Sequence, residues 1–262
     1  MELVNRLARF FFERDSLIVA FSGGVDSAVL VVVAHRALGE RMLAVTGDSP
    51  SVPSRDRELT VTFCAAHGIP HQFVATKEFD NPDYRANAGN RCYFCKEELF
   101  RQLESLRVAK AFDWIAEGTN RSDLSGHRPG QKAATEAERV ISPYLDLGID
   151  KAGVRAIARE LRLELAEKPA TACLASRIPV GTAVDPEVLR RIDAAENVLR
   201  DLGFEQLRVR HHGALVRIEV PAAELMACVE KRERIVTRLR ELGFKQVTLD
   251  LQGYRIGGGV DG

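Results

Sequence analysis

The most constraining feature is an abrupt change of polarity near the N-terminus. Residues 17–39 read LIVAFSGGVDSAVLVVVAHRALG, in which SGGVDS separates a short apolar run from a longer one. A short apolar run, a glycine turn and a longer apolar segment form the pattern of a buried parallel strand feeding a helix. Gly23 and Gly24 mark the joint. At such a joint several backbone N–H groups face outward at the positive end of a helix dipole, a setting suited to an anion such as phosphate. Ser22 and Ser27 add hydroxyl groups. The loop has no GK[ST] ending, so it lacks the lysine that holds a departing γ-phosphate, which argues against simple kinase or GTPase chemistry.

Beyond this unit, strand and helix patterns alternate. RMLAVTGDS reads as a strand, SRDRELTVTFCAAHG as a helix and HQFVAT as a strand; CKEELFRQLESLRVAKA is helical, FDWIAEGTN is a strand breaking into a polar loop, and DKAGVRAIARELRL is helical. This alternation predicts an α/β fold with a doubly wound parallel sheet and ligands at the carboxyl ends of its strands. Gly118, Thr119 and Asn120, at one such end, form a second candidate nucleotide-binding set, with Asp123 a candidate metal or ribose partner. From Lys168 the chain turns loop-like and proline-rich, EKPATACLASRIPVGTAVDPEVL, so a boundary is expected there: a nucleotide domain over 1–167 and a second domain over 168–262. In the second, VLRDLGFEQLRVR at 198–210 is echoed by RLRELGFKQVTLD at 238–250. Each copy reads as a helix ending near Gly203 or Gly243 and followed by a strand, predicting a small C-terminal α+β domain.

Composition narrows the function classes. The 262 residues are 45% hydrophobic and 28% charged, enough for one large or two modest cores. Lys+Arg and Asp+Glu each number 37, a net charge of +0, which disfavours nucleic acid as the main partner and leaves room only for a local basic groove. The longest apolar run near the N-terminus, AVLVVVA, is too short to span a bilayer, so the chain reads as cytoplasmic with no membrane partner. Five cysteines, an odd number without a secretory leader, point to reduced thiols or metal ligands rather than a disulfide framework.

Three constellations invite chemistry. Cys92 and Cys95 form a C-x-x-C at the mouth of a helix, suited to a redox pair or half a metal site; a structural zinc would want a second matched pair, which is missing. Cys173 stands in the unusual loop KPATACLASRIP, whereas Cys64 and Cys228 lie in apolar helical contexts and read as core residues. Glu196 falls on the apolar stripe of the helix that begins at Pro186. A carboxylate there is either paired with an arginine or has a raised pKa for general-base work. Arg208 and Arg210, two apart on a predicted strand, leave the same face and either clamp a phosphate or form a solvated edge.

SGGVDS resembles the signature of the PP-loop ATP pyrophosphatases, with their adenine nucleotide alpha hydrolase-like fold. That resemblance implies that Ser22, Gly23, Gly24 and Ser27 cradle phosphates of ATP while Asp26 holds Mg²⁺ or anchors the loop. Together with GNRCYFCK, EGTN, HRPGQKAA, KPATACLASRIPVGT, the Glu196 helix and RVRHH, it is similar to the LarE family of ATP-dependent sacrificial sulfur transferases, almost end to end. The resemblance implies adenylation of a carboxylate on pyridinium-3,5-biscarboxylic acid mononucleotide, followed by sulfur attack and release of a thiocarboxylate for the nickel-pincer nucleotide cofactor. In the simplest members the cysteine matching Cys173 is the nucleophile and ends as dehydroalanine. Arg177 would favour its thiolate and steady the adenylate, Glu196 would take the α-proton, and Arg208 with Arg210 would hold the substrate phosphate. The additional Cys92 and Cys95 depart from that pattern and imply a [4Fe–4S] cluster on Cys92, Cys95 and Cys173, with Cys173 a ligand rather than a spent donor. The resemblance also implies a small-molecule nucleotide substrate and a homo-oligomer, a hexamer or smaller ring. Three rivals remain: tRNA thiolation, to be seen as tRNA binding at modest salt; amide synthesis of the NAD or GMP synthetase kind, which leaves the cysteines idle; and a non-catalytic ATP sensor, which makes no AMP or pyrophosphate.

Overall fold

The computed structural model describes residues 1–125, 138–169 and 171–255, so HRPGQKAA at 127–134 lies outside the described residues. The chain separates into two compact units: Met1–Ser49, Ser54–Tyr84 and Asn90–Thr171 make the first; Pro50–Pro53, Arg85–Gly89 and Ala172–Gly262 make the second.

The first unit begins with α1 (Glu2–Phe12), β1 (Leu17–Ala20), α2 (Val25–Leu38), β2 (Met42–Asp48), α3 (Ser54–Ala66) and β3 (His71–Ala75). After the short helix α4 (Pro82–Ala86) come α5 (Arg91–Ala109), β4 (Trp114–Ala116), β5 (Val140–Ile141), α6 (Pro143–Asp146) and α7 (Lys151–Glu160). The five strands pair in the order β3-β2-β1-β4-β5, every pairing parallel. β1 alternates as a strand should: Leu17 and Val19 join the core with α1, α2, α3 and α7, while Ile18 joins Phe100 and Leu103 of α5 on the other face. Both faces of the sheet are covered, which is why LIVA has no polar position. The expected doubly wound parallel sheet is present, and β1 sits at its switch point, between β2 and β4. No helix among the described residues is long and apolar enough to cross a membrane.

The second unit carries α8 (Pro186–Asp201), β6 (Arg208–His212), β7 (Leu215–Glu219), α9 (Leu225–Glu230), α10 (Arg232–Glu241) and β8 (Gln246–Leu249). Its sheet runs β6-β7-β8, with β6 antiparallel and β8 parallel to β7. Asp185 caps α8 by accepting from the Glu187 N–H at 2.7 Å, and Pro186 occupies the first turn, where a missing N–H costs nothing. Both copies of the repeat form: α8 ends before Gly203 (φ 95°) and α10 before Gly243 (φ 87°), a conformation that glycine adopts without strain. The segments from earlier in the chain are bound into this unit through the backbone, for the Leu174, Gly181 and Val184 N–H groups donate to the carbonyls of Ser51, Asn87 and Arg85.

Candidate active site

In the first unit the loop between β1 and α2 is braced from several sides. Gly23 has φ 72°, and a Cβ there would lie 3.2 Å from Thr60 Cγ2, so both conformation and packing demand glycine. Gly24 is the N-cap of α2. The Ser27 hydroxyl donates to the Gly24 carbonyl at 3.1 Å and accepts from the Ser22 N–H at 3.2 Å, so it holds the loop in shape, while Ser22 is exposed. Thr46 donates to the Phe21 carbonyl at 2.7 Å. Its proton spent there, Thr46 accepts from His71 Nε2 at 2.9 Å, which assigns the Nε2–H tautomer; burial holds the His71 pKa down.

Asp26 is anchored: Oδ1 accepts from Asn120 Nδ2 at 3.1 Å and Oδ2 from the Lys151 ammonium, while the Tyr144 hydroxyl donates to the Asp26 carbonyl oxygen at 2.7 Å. Of the two expectations for Asp26, the anchoring contacts are the ones formed. Burial, with the Asp26 charge beside it, pushes the Tyr144 phenol well up, so that it remains a donor. Gly118 lies against the start of α2; a Cβ on it would come within 3.3 Å of the Ser27 nitrogen. Thr119 donates to Glu117 at 2.6 Å, and Asp123 accepts from the Asn120 N–H at 3.1 Å. The expected second nucleotide set is therefore brought beside the loop by Asn120 and Gly118. Sequence reasoning missed Lys151, Tyr144, Thr46 and Lys168, whose ammonium meets the Gly23 carbonyl at 3.1 Å and Asp56 Oδ1 at 2.9 Å. Only tertiary structure pairs these with a loop so distant in the chain.

Cys92 and Cys95 occupy the start of α5, one turn apart on one side of the helix, with Cys92 exposed and Cys95 partly buried. Among the described residues no group of three or more His, Cys, Asp or Glu is placed to hold a metal ion. Cys92 and Cys95 belong to the first unit and Cys173 to the second, and Mg²⁺ is commonly held by phosphates of a bound nucleotide. Cys64 and Cys228 are buried as expected, and burial pushes the Cys64 thiol up to about 12.

In the second unit Cys173 precedes a single 3₁₀ turn, Leu174–Arg177, and is partly buried. Arg177 organises this turn. Its Nη1 donates to the carbonyls of Ala172 at 2.7 Å and Cys173 at 3.0 Å and to Ser176 Oγ at 3.0 Å. Its Nε and Nη2 form a fork with Glu196 at 2.8 and 3.0 Å. Both side chains of this pair are wholly buried. Glu196 also accepts from Arg200 at 3.1 Å and from the Val209 N–H at 3.1 Å. Burial opposes ionisation of Glu196, but Arg177 and the other donors outweigh it and hold the carboxyl below its usual range; burial likewise opposes the Arg177 charge, and Glu196 outweighs it upward. Of the two expectations for Glu196, the arginine pair is the one whose contacts are formed, and the carboxylate accepts from four donors. The Arg177 guanidinium likewise meets the backbone of the Cys173 turn and Glu196.

Arg208 and Arg210 share a face of β6, with fully buried Val209 on the other. Arg210 is buried, donating to Glu219 and to the Ser176 carbonyl at 3.2 Å. Arg208 is partly buried, stacks 5.1 Å from the Tyr254 ring centroid and donates to its hydroxyl at 3.1 Å. Burial first, then the Arg177 charge, lowers the Arg208 pKa. A cation disfavoured in this way gains from an incoming anion.

No protein-family model matches the chain. An uncharacterized protein of Synechocystis sp. is 41% identical over 256 residues, covering 97% of this chain and 95% of that protein. Pyridinium-3,5-bisthiocarboxylic acid mononucleotide synthase of Lactiplantibacillus plantarum is 31% identical over 240 residues, 91% of this chain and 87% of that enzyme. The chain belongs to the LarE family. A glutamine-hydrolyzing GMP synthase component of Methanocella arvoryzae is 30% identical over 169 residues, 58% of this chain and 52% of that protein, a likeness consistent with the PP-loop fold. As a LarE family member the chain is an enzyme of the ATP-dependent PP-loop type.

Proposed function

We propose that the protein adenylates carboxylates of pyridinium-3,5-biscarboxylic acid mononucleotide and converts them to thiocarboxylates, a step in nickel-pincer nucleotide biosynthesis. The match to the Lactiplantibacillus plantarum synthase along 91% of the chain carries this reading. A free carboxylate resists nucleophiles because its leaving group would be oxide. Attack of a carboxylate oxygen on the α-phosphorus of Mg²⁺-ATP expels pyrophosphate and leaves an acyl adenylate, whose leaving group is AMP. The loop at Ser22–Ser27 receives the phosphates, since the first N–H groups of α2 have no partners within the helix.

A Cys173 thiolate then attacks the acyl carbon, AMP departs with the C–O bonding pair, and a thioester forms. Loss of the Cys173 α-proton to solvent water forms the Cα–Cβ double bond while the Cβ–S bonding pair departs with sulfur, so that the thiocarboxylate is released and dehydroalanine remains. Arg177 fixes the backbone on either side of the Cys173 peptide, and Glu196 fixes Arg177, so both are positioning residues. Arg208, with Arg210 beside it, receives the phosphate of the mononucleotide.

Cys92 and Cys95, one turn apart at the start of α5, favour a second source of sulfur. With Cys173 they would be the three ligands of a [4Fe–4S] cluster supplying sulfide. The test is anaerobic purification with iron and sulfide analysis, then turnover with ATP and the pyridinium substrate. AMP, pyrophosphate and a mass loss at Cys173 are expected for the sacrificial route. Bound iron that Cys92→Ser removes, with Cys173 intact after several cycles, marks the cluster route. ADP with orthophosphate, or no reaction, overturns both.

A further inference from the structure

The loop at Ser22–Ser27 carries no lysine of its own. In the Gly23–Gly24 peptide neither flanking residue has a Cβ to limit rotation. Two groups from outside the loop fix it. The Lys168 ammonium meets the Gly23 carbonyl at 3.1 Å, and Asp56, in the first turn of α3, holds that ammonium at 2.9 Å. The lysine and aspartate side chains are only 20% and 17% exposed, so this pair is far better shielded from solvent than an ordinary surface ion pair. Thr60 and the Asp56 backbone pack against Gly23 and close off that side of the loop.

Across a trans peptide the carbonyl and the next N–H point in opposite directions, and the chain has no cis peptide among its described residues. A Gly23 carbonyl turned to Lys168 therefore turns the Gly24 N–H away from it. Gly24 is the N-cap of α2, so this N–H stands with the other donors at the positive end of the helix. Were the peptide to flip, a carbonyl oxygen would face an incoming phosphate instead.

We infer that Lys168, held by Asp56, is the positioning residue that keeps the Gly23–Gly24 peptide oriented for the phosphates of ATP. This rests on the reading of the loop as an ATP site. Lys168 does so without touching the nucleotide, and the loop dispenses with a lysine of its own. Cys173 follows Lys168 in the chain after only four intervening residues.

The test is equilibrium binding of ATP with Mg²⁺ to the full chain by titration calorimetry, comparing wild type, Lys168→Met, Lys168→Arg and Asp56→Asn, with a melting curve for each. Loss of a hydrogen bond from a charged group predicts roughly tenfold weaker ATP binding by Lys168→Met, and a smaller loss for Asp56→Asn. Lys168→Arg, which keeps a charged donor, is expected to bind within about threefold of wild type. Wild-type affinity in Lys168→Met overturns the inference, as does a loss that Lys168→Arg shares in full. If Lys168→Met melts early, Asp56→Asn and Lys168→Arg carry the comparison. Wild-type protein that binds ATP but forms no AMP and pyrophosphate with the pyridinium substrate refutes the proposed function and leaves this inference standing.

Discussion

The two helix–strand copies of the second unit, forty residues apart in the chain, share one scaffold and differ in chemistry. Lys231 donates to the Leu202 carbonyl at 2.7 Å and stacks 5.0 Å from the Phe204 ring centroid. Arg191 donates to the Leu242 carbonyl at 2.8 Å and stacks 4.5 Å from the Phe244 ring centroid. Arg191 and Lys231 are equivalent positions in the repeat, as are Leu202 and Leu242, and Phe204 and Phe244. Each copy thus caps the end of the other's helix with the same device, a cation satisfying a C-terminal carbonyl.

The copies part company at the charged positions. Glu196 of the first copy is matched by Val236, Arg208 by Thr248 and Arg210 by Asp250. In the second copy Thr248 donates to the Val216 carbonyl at 2.9 Å and Asp250 pairs with Arg217 at 3.3 Å, so both serve the sheet. A helix, a glycine, a phenylalanine and a strand are what this fold requires. A buried glutamate with arginines around it is an addition that only one copy makes, and it is the copy beside the Cys173 turn.

That contrast is open to direct attack. Glu196→Ala leaves the Arg177 charge buried without a partner and is expected to destabilise the protein by about 3–5 kcal/mol in urea unfolding. Val236→Ala, at the matching and partly exposed position, is expected to cost less than about 1 kcal/mol. Equal losses would break the distinction between the copies. Next, Arg208→Ala is expected to weaken binding of the pyridinium mononucleotide roughly tenfold or more, whereas Thr248→Ala leaves it unchanged, as read by calorimetry.

Acid sharpens the same point. Glu196 has a folded pKa below its ordinary value of 4.5, so the unfolded chain binds the proton first, and stability from this group is full above that value and lost as pH falls through the folded pKa. Glu196→Gln is expected to flatten the fall of stability below pH 4.5 in denaturant titrations at stepped pH. The smallest effect falls on what the copies share: Lys231→Met and Arg191→Met should each lower stability by about 1 kcal/mol in thermal melts, and by similar amounts.

Much of this was legible in the chain. The β1–SGGVDS–α2 unit, the alternation of strands and helices, and the repeat all announce themselves through local periodicity and glycine placement, because local geometry dictates those patterns. Glu196 was marked by its apolar face, yet its partner was not, since Arg177 reaches it from a turn 19 residues away. β5, with two residues, has too little length for any period to show, and β7 falls outside the repeat. Lys151, Tyr144 and Lys168 are ordinary surface or core residues by sequence. They acquire meaning only when folding sets them against Asp26 and Gly23.

The backbone bonds from Leu174, Gly181 and Val184 to Ser51, Asn87 and Arg85 bear on how this protein can be dissected. A fragment cut to begin at Ala172 would lose the acceptors for three amides at and after its own thiol turn, and at buried Leu174 and Val184 an amide left without an acceptor is expensive. Truncation at that seam is a poor route to a free-standing half, whereas supplying the two early peptides in trans offers a complementation experiment that the fold itself suggests.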